Sequence, residues 1–436
     1  MASLSIPSAT ATTAGMTPEL LAYYGDRKLT WRNISFISLC NLGWSIGPAV
    51  FTPLMTLALY DMGMTEARTG TMAMLNSWLV AYLVMYFSWS SDHIVSTIGR
   101  RKVYLIIAAP FVIIPSIIFP WMIEYGLFTC IVLMAVQMLF GDLKASTFPL
   151  LNIDCMPREF LARAGAILGI VAGLFGFVIN RWGVQSLSEW HYWAPYAVGG
   201  LVMTITTTLA MLIREPPIYN PTREPFKPWS ALKIGLKKKS NIVLFLGVSS
   251  IHTFAIVWGT WSFLYATRSL NLDWKEVLAA TSWASLVALV IAFPIAWLVD
   301  RFVGIKLIFV FWALQVVAFC VAWNSTTVTH MLWMAILLVI IWPLYSSADI
   351  LVYRSAPPEA VGSVTSSASL FRNLYAGCVS GITGWIISMS SEHSYAPAFL
   401  FGIIMSTVGM LLYVVHWAMV RRDVPNRSGA ISGPIP

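Results

Sequence analysis

Charge is scarce in this chain. Asp, Glu, Lys and Arg make up 11% of its 436 residues, whereas apolar residues make up 58%. Soluble globular domains carry about 25% charged residues, so the composition excludes that class. The chain also has 20 tryptophans, a residue type that is enriched where membrane helices meet water. The sequence therefore predicts a polytopic membrane protein.

Motifs for covalent or metal chemistry are also missing. The five cysteines have no CxxC spacing and the six histidines form no HExxH, so neither a disulfide framework nor a metal site is indicated. The loops leave no room for a catalytic domain and contain no ATP-binding motif. We therefore expect no cofactor, no bound metal and no enzymatic activity.

Apolar runs long enough to cross a bilayer dominate the chain. Spanning the hydrocarbon core takes about 20 residues in a helix, and twelve runs meet that requirement. They comprise 31–60, 72–89, 103–122, 127–151, 160–184, 193–213, 242–265, 277–299, 307–323, 331–352, 361–389 and 395–420.

The order of these runs predicts an all-α membrane protein built from two pseudo-symmetric six-helix bundles. We expect the bundles at residues 29–213 and 241–421, joined by a Pro- and Lys-rich cytosolic linker at 214–240. A disordered cytosolic tail is expected at 1–28 and a second cytosolic tail at 422–436. The two halves also share a Pro-x-Glu turn, at Pro157 and Glu159 and again at Pro357 and Glu359, which indicates an internal duplication.

The basic residues are distributed unequally between the two sides of the predicted membrane protein. Most of the 27 lie in the N-terminal flank, the alternate loops, the linker and the C-terminal tail. The opposite loops hold only Arg68, Arg268 and Lys275. Lys and Arg favour cytoplasmic loops, so we expect both termini in the cytoplasm. Basic residues confined to short loops also argue for a lipid bilayer, and against nucleic acid, as the partner.

Two loops on the predicted cytoplasmic side carry a matching charge pattern. One places Asp92, Gly99, Arg100 and Arg101 between the second and third runs, and the other places Asp300 and Arg301 between the eighth and ninth. An acidic residue, a glycine turn and a basic cluster can form a latch between neighbouring helices. The alternative is an anchor that only sets the topology. The occurrence in both halves favours a cytoplasmic gate.

Together these features resemble the major facilitator superfamily, with two six-helix halves and Asp-x6-Gly-Arg-Arg-Lys after the second helix. The long step from Asp92 to Gly99, with Asp142, Asp154 and the Pro-x-Glu turns, is similar to the glycoside-pentoside-hexuronide and sucrose-transporter branch. The resemblance implies a secondary transporter of sugars. The second run lacks the carboxylates with which sodium-coupled relatives bind their cation, which leaves the proton as the coupling ion. His93 also departs from the family pattern, which has Arg at that place.

Charged residues inside the apolar runs are the first candidates for the transport site, because each is costly in hydrocarbon. Asp142 and Lys144 lie two residues apart in the fourth run, so they project in different directions and each needs a partner elsewhere. Arg372 lies deep in the eleventh run and could face Asp142 or an anionic substrate. We expect Asp142 to bind the coupled proton. The alternative is a static ion network that holds the helices together.

Polar and aromatic residues of other runs could form the walls of a central cavity. Sugars offer apolar faces and many hydroxyls, so a sugar site needs aromatic rings beside amide and hydroxyl groups. The candidates besides Lys144 and Arg372 are Asn41, Trp44, His252, Trp258, Trp342 and Tyr345. Core packing or a place in the interfacial aromatic belt is the alternative for each tryptophan. His252 could titrate or could be a structural histidine.

The sequence thus predicts a secondary active transporter of the cell (inner) membrane that works by alternating access as a monomer. Its expected substrate is a sugar or sugar derivative moved with a proton. An excess of buried cations favours an anionic solute, such as a sugar acid or another carboxylate or sulfonate, moved in either direction. A sensor that binds solute without moving it is the alternative of a different class.

Overall fold

A computed structural model describes residues 18–93, 96–155, 170–171, 173–216, 232–233, 236–301, 305–355, 361–390 and 394–423. Within these ranges the regular secondary structure is helical throughout. The first half contains α1 (Pro18–Gly25), α2 (Arg27–Asp61), α3 (Glu66–His93), α4 (Lys102–Met122), α5 (Leu127–Cys155), α6 (Val184–Trp190) and α7 (Ala194–Ala210).

The second half contains α8 (Lys239–Ile251), α9 (Thr253–Leu264), α10 (Trp274–Arg301), α11 (Ile305–Trp323), α12 (Val328–Ser355), α13 (Val361–Met389) and α14 (Ala396–Asp423). Two π-helical turns, Ile179–Gly183 and Tyr265–Ser269, lead into α6 and out of α9. Each of the twelve predicted runs therefore contains a helix in the described part of the chain. Seven of the described spans are long and apolar enough to cross a membrane.

Local signals in the sequence explain where several helices begin and end. Asp26 caps the start of α2, because its carboxylate accepts hydrogen bonds from the backbone N–H groups of Lys28 and Leu29 at 2.9 and 3.1 Å. Gly63 and Gly126 have φ values of 91° in the loops before α3 and α5, a conformation that glycine adopts without a steric penalty.

The two halves repeat one packing scheme. In the first half α2 packs along α7, and α4 packs along α5. In the second half the corresponding pairs are α8 with α14 and α11 with α12. The fold is thus two pseudo-symmetric bundles, as the sequence predicted.

Among the described residues, the bundles meet mainly at two places. The contact of α3 with α13 is the larger of the two, and the other joins α10 to the π turn Ile179–Gly183. Many large apolar side chains, among them Leu75, Phe128 and Trp385, are exposed on the outside of the helices. An apolar exterior of this extent is the surface that a bilayer covers.

The molecule has two ends. The linker end is where α2 begins, α7 ends and α8 begins. The far end is where α2 ends, α3 begins and α14 begins.

Candidate functional site

Asp142 and Asn76 form a polar contact between α5 and α3. Asn76 Nδ2 donates a hydrogen bond to Asp142 Oδ2 at 3.0 Å, and both side chains are half-buried. An α-helix has 3.6 residues per turn, so side chains two residues apart point in nearly opposite directions. Asp142 therefore projects toward α3, while Lys144, two residues later, projects elsewhere. The expected separation of these two charges is therefore present, and the hydrogen-bond partner of Asp142 in the described chain is a neutral amide.

Lys144 is surrounded by aromatic rings. Its Nζ lies 5.2 Å from the ring centroid of Trp44 on α2 and 4.7 Å from that of Phe148 one turn along α5. Cations at this distance are attracted by the negative face of an aromatic ring. Within the part of the chain that the structure describes, no carboxylate lies within 4 Å of Lys144 Nζ.

A hydrogen bond to α7 fixes the ring of Trp44. Its Nε1 donates a hydrogen bond to Thr207 Oγ1 on α7 at 3.0 Å, and only 7% of the residue is exposed. Trp44 therefore supports Lys144 rather than offering a wide stacking surface. Asn41, on the same helix, is half-buried.

The seventh span is interrupted at His252, between α8 and α9. His252 Nδ1 hydrogen-bonds to the carbonyl of Val248 one turn earlier. The neighbouring carbonyl of Ile251 accepts from Gln315 Nε2 at 2.9 Å and from Ser406 Oγ at 3.3 Å. Side chains of α11 and α14 thus satisfy the backbone where the helix breaks.

Trp258 lies in a packed aromatic cluster. Its ring centroid is 5.2 Å from that of Phe399 and 6.4 Å from that of Tyr265, and the residue is 4% exposed. Its surroundings are those of a core residue and not of a cavity wall. Arg372 is half-buried on α13.

Several predicted site residues lie outside the described side chains. The backbone of Trp342 and Tyr345 is in α12, that of Asp92 in α3, and that of Asp300 and Arg301 in α10. Their proposed roles stay predictions.

At the linker end, Glu215 caps the start of α4. Its carboxylate accepts hydrogen bonds from the backbone N–H groups of Arg100, Arg101 and Lys102 at 2.8, 3.2 and 2.9 Å. Free N–H groups and the positive end of the helix dipole both favour a carboxylate there. Gly99 has a φ of 127°, and a Cβ at this position would overlap with Glu215 Oε1. This conformation and this lack of space explain the glycine of the predicted gate.

The basic residues of the same loop bind the ends of two other helices. Arg100 and Arg101 both contact Asp154 Oδ2 near the end of α5, at 2.7 and 3.0 Å. Lys102 Nζ donates to the carbonyls of Met211 and Ile213 at 3.3 and 2.6 Å, just after α7. The loop therefore ties α4, α5 and α7 together.

The N-terminal helix α1 extends this network. Tyr23 Oη donates to the carbonyl of Arg214 at 2.6 Å, and Asn33 Nδ2 donates to the same carbonyl at 3.0 Å. Burial raises the pKa of the Tyr23 hydroxyl above its usual value, so the hydroxyl remains a donor.

At the far end, side chains link the two bundles. Tyr395 Oη on α14 donates to Glu66 Oε1 on α3 at 3.2 Å, and both residues are buried. Ser388 Oγ accepts from the backbone N–H of Ala67 at 2.8 Å. Exposed ion pairs join Arg268 to Asp61 at 3.1 Å and Lys275 to Glu189 at 3.0 Å.

Neighbouring side chains lower the pKa of the Glu189 carboxyl. Hydrogen bonds from Gln185 and then Lys275 hold its pKa below the usual value. These ion pairs and the hydrogen bonds of Glu66 and Ala67 all cross between the bundles, and together they close the far end.

Beneath these contacts α3 and α13 approach each other at their backbones. A Cβ at Gly384 would lie 2.5 Å from the carbonyl oxygen of Glu66 and 3.0 Å from the Cα of Gly70. A Cβ at Gly70 would lie 2.6 Å from the carbonyl oxygen of Ser380. Only glycine fits at either position without separating the two bundles.

A helical membrane protein made of two bundles, which are joined at the far end and carry charged residues within their apolar helices, is the class that the fold and these contacts define. The sequence model of the Major Facilitator Superfamily matches residues 37–381. The chain belongs to that superfamily and is therefore a transporter and not an enzyme.

Solved structures agree with this fold. The nucleoside transporter NupG is 11% identical with a TM-score of 0.66, covering 89% of this chain and 99% of its own. A mutant of NupG gives a TM-score of 0.69 over the same shares at 11% identity. A bacterial homologue of the human lysosomal transporter Spinster, inward-facing and unoccupied, is 13% identical with a TM-score of 0.58, covering 93% of this chain and 96% of its own. The curated proteins yield no match to the chain.

Sequence reasoning missed the partners of the candidate residues. Asn76 is an amide in an apolar run, a signal that is visible but weak beside the charges. Glu215 falls in the predicted linker, and its place directly after an apolar run is the signal that points to its contact with a helix end. Thr207 and Phe148 carried no signal, because their roles depend on how the helices are rotated against each other.

Proposed function

We propose that this protein is a proton-coupled symporter of a small hydrophilic organic solute, a sugar or sugar derivative, and that it works by alternating access. In this proposal it is a monomer in the cell (inner) membrane with both termini in the cytoplasm. The branch would be that of the glycoside-pentoside-hexuronide transporters and their sucrose-transporting relatives.

The contact between Asp142 and Asn76 carries the proposal. A carboxylate that is bound to a buried cation leaves that cation unpaired when it accepts a proton, at a large cost in free energy. An amide has both a donor and an acceptor, so Asn76 can donate to the ionised carboxylate and accept from the protonated one. A half-buried carboxylate with such a partner can exchange a proton without disrupting its surroundings.

The position of Asn76 supplies a route from this proton to the bundle interface. Residues 74 and 78 lie on the opposite face of α3 from residue 76, since two residues correspond to about 200° of helix rotation. Trp78 Nε1 donates to the carbonyl of Leu374 on α13 at 3.2 Å, and Met74 lies beside Gly377 and Gly381. A change in the hydrogen bond of Asn76 can therefore move α3 against α13, the helix pair that joins the bundles.

Alternating access also needs an end that opens and an end that closes. The closed far end and a cytoplasmic linker end correspond to an inward-facing conformation. In this scheme the loop of Gly99, Arg100 and Arg101 with Asp154 is half of the cytoplasmic gate, together with Asp92. Asp300 and Arg301 supply the other half.

A second candidate is a carrier of another small organic anion. Lys144 favours it, because this cation has aromatic rings and no carboxylate around it in the described part of the chain. Both candidates use the same proton site.

Uptake into proteoliposomes tests the proposal. Labelled neutral sugars, uronates and small carboxylates are offered with and without an inward proton gradient. The wild type is expected to accumulate at least one of them only with the gradient. Asp142→Asn is expected to exchange that solute across the membrane without accumulating it. Glu124→Gln removes an exposed loop carboxylate and is expected to behave like the wild type. Uphill accumulation by Asp142→Asn on a proton gradient would overturn the role of Asp142.

A further inference from the structure

Lys144 is half-buried, and the described residues around its ammonium group supply no opposite charge. An ammonium group taken out of water needs an opposite charge or several hydrogen-bond acceptors to repay its lost hydration. The two aromatic rings supply only part of that free energy. Asp142 is the nearest acid along the helix, but its side chain is bound to Asn76 on another face.

Open space adjoins the same helix face. Residues three and four apart share a face of a helix, so Gly141, Lys144 and Phe148 form one stripe of α5. A Cβ built at Gly141 meets no atom of the described residues within 4 Å. A solute group beside Gly141 would be within reach of the Lys144 ammonium. The rings of Trp44 and Phe148, 7% and 8% exposed, flank the ammonium group.

We propose, on the basis of the transport function proposed above, that Lys144 binds the anionic group of the transported solute and that this solute is a small organic anion. A carboxylate or sulfonate matches an ammonium group that has no carboxylate within 4 Å among the described residues. Neutral sugars would leave the charge uncompensated. The space beside Gly141 then provides the volume that the anionic group occupies.

Thr207 is a positioning residue in this arrangement. Its hydroxyl fixes the Trp44 ring, and the ring in turn fixes the ammonium. Binding of the anion should therefore depend on Thr207 without direct contact.

Equilibrium binding to the full-length protein in lipid nanodiscs tests the inference, because it requires no gradient. The probes are potassium glucuronate, lactate and methanesulfonate, each beside a neutral counterpart: glucose, glycerol and dimethyl sulfone. Ligand-induced shifts in thermal unfolding are followed by tryptophan fluorescence. At least one anion is expected to stabilise the wild type where its counterpart does not.

Variants of Lys144 give the decisive comparison. Lys144→Met is expected to weaken binding of that anion about 10- to 100-fold, the range for losing a hydrogen bond to a charged group. Lys144→Arg keeps the charge and is expected to retain most of the affinity, which separates loss of charge from misfolding. Lys237→Met removes an exposed lysine outside the bundles and is expected to bind like the wild type.

The inference would be overturned by the absence of a shift with any of the anions, by equal binding of the neutral counterparts, or by unchanged anion binding in Lys144→Met. Uphill uptake of a neutral sugar by both the wild type and Lys144→Met would also overturn it and leave the transport proposal standing. Conversely, Lys144-dependent anion binding without uptake would contradict the transport proposal alone.

Discussion

Replacing Gly384 by alanine would act on the contact that joins the two bundles. The new Cβ would lie 2.5 Å from the carbonyl oxygen of Glu66, 3.0 Å from the Cα of Gly70 and 3.2 Å from its nitrogen. All three are backbone atoms, so no rotation of a side chain can relieve the overlap. The helices α3 and α13 must move apart by several tenths of an ångström.

The cost can be placed within a range. Overpacking in a tightly packed core typically costs about 1 to 3 kcal/mol, which corresponds to a factor of about 5 to 150 in an equilibrium constant. Alanine also favours a helix over glycine by about 1 kcal/mol. Gly259→Ala measures that second effect alone, because Gly259 is exposed on α9 and a Cβ there meets no atom of the described residues within 4 Å.

Two assays report the result. Thermal unfolding, followed by tryptophan fluorescence, is expected to show Gly384→Ala melting below the wild type and Gly259→Ala at or above it. A cysteine introduced by Ser388→Cys is expected to react faster with a membrane-impermeant maleimide when Gly384→Ala is also present. The reason is that Ser388 lies at the far-end contact that the overlap loosens. Equal melting temperatures for the two alanine variants, with no gain in labelling, would refute the backbone contact.

Three further substitutions test other parts of the account. Glu215→Ala removes a helix cap, a loss that typically costs about 0.5 to 2 kcal/mol, and is expected to lower the thermal unfolding temperature; no change would argue against the cap. Thr207→Val removes the hydrogen bond to Trp44, so binding of the anion that the wild type prefers is expected to weaken in the nanodisc assay; unchanged affinity would contradict that positioning role. Lys275→Met breaks an exposed ion pair with Glu189 and is expected to leave the unfolding temperature unchanged, whereas a clear drop would show that the pair holds the bundles together.

The fold was predictable because hydrophobic length is a strong signal in a membrane protein. The helix ends were less so. The helix α3 begins at Glu66, before its apolar run, and the hydroxyls of Thr69 and Thr71 bond to carbonyls one turn earlier. A hydropathy criterion places the helix end at these polar residues, but their hydroxyls bond within the helix and the helix continues past them. The helix α7 ends at Ala210, before the end of the apolar run 193–213. Beyond Ala210, Lys102 Nζ donates hydrogen bonds to the carbonyls of Met211 and Ile213.

The break at His252 could not be predicted from the seventh run itself. Its backbone is satisfied by Gln315 and Ser406, which come from helices far along the chain. No local pattern encodes such a contact.

The candidate site was predictable only in its charges. Asp142 and Lys144 stand out because an ionised group in an apolar run is costly. Their surroundings depend on the rotation of α5 against α2 and α3, which a single sequence does not specify. For the same reason Trp258 was a reasonable candidate for a cavity wall, yet it lies among the rings of Phe399 and Tyr265.

Proton movement during solute entry tests the central claim most directly. Proteoliposomes that contain a pH-sensitive dye would receive, without an imposed gradient, the solute that the wild type accumulates. The account predicts that the lumen acidifies as the solute enters through the wild type and stays unchanged with Asp142→Asn. Solute entry through the wild type with no change in lumenal pH, or acidification that persists in Asp142→Asn, would contradict it.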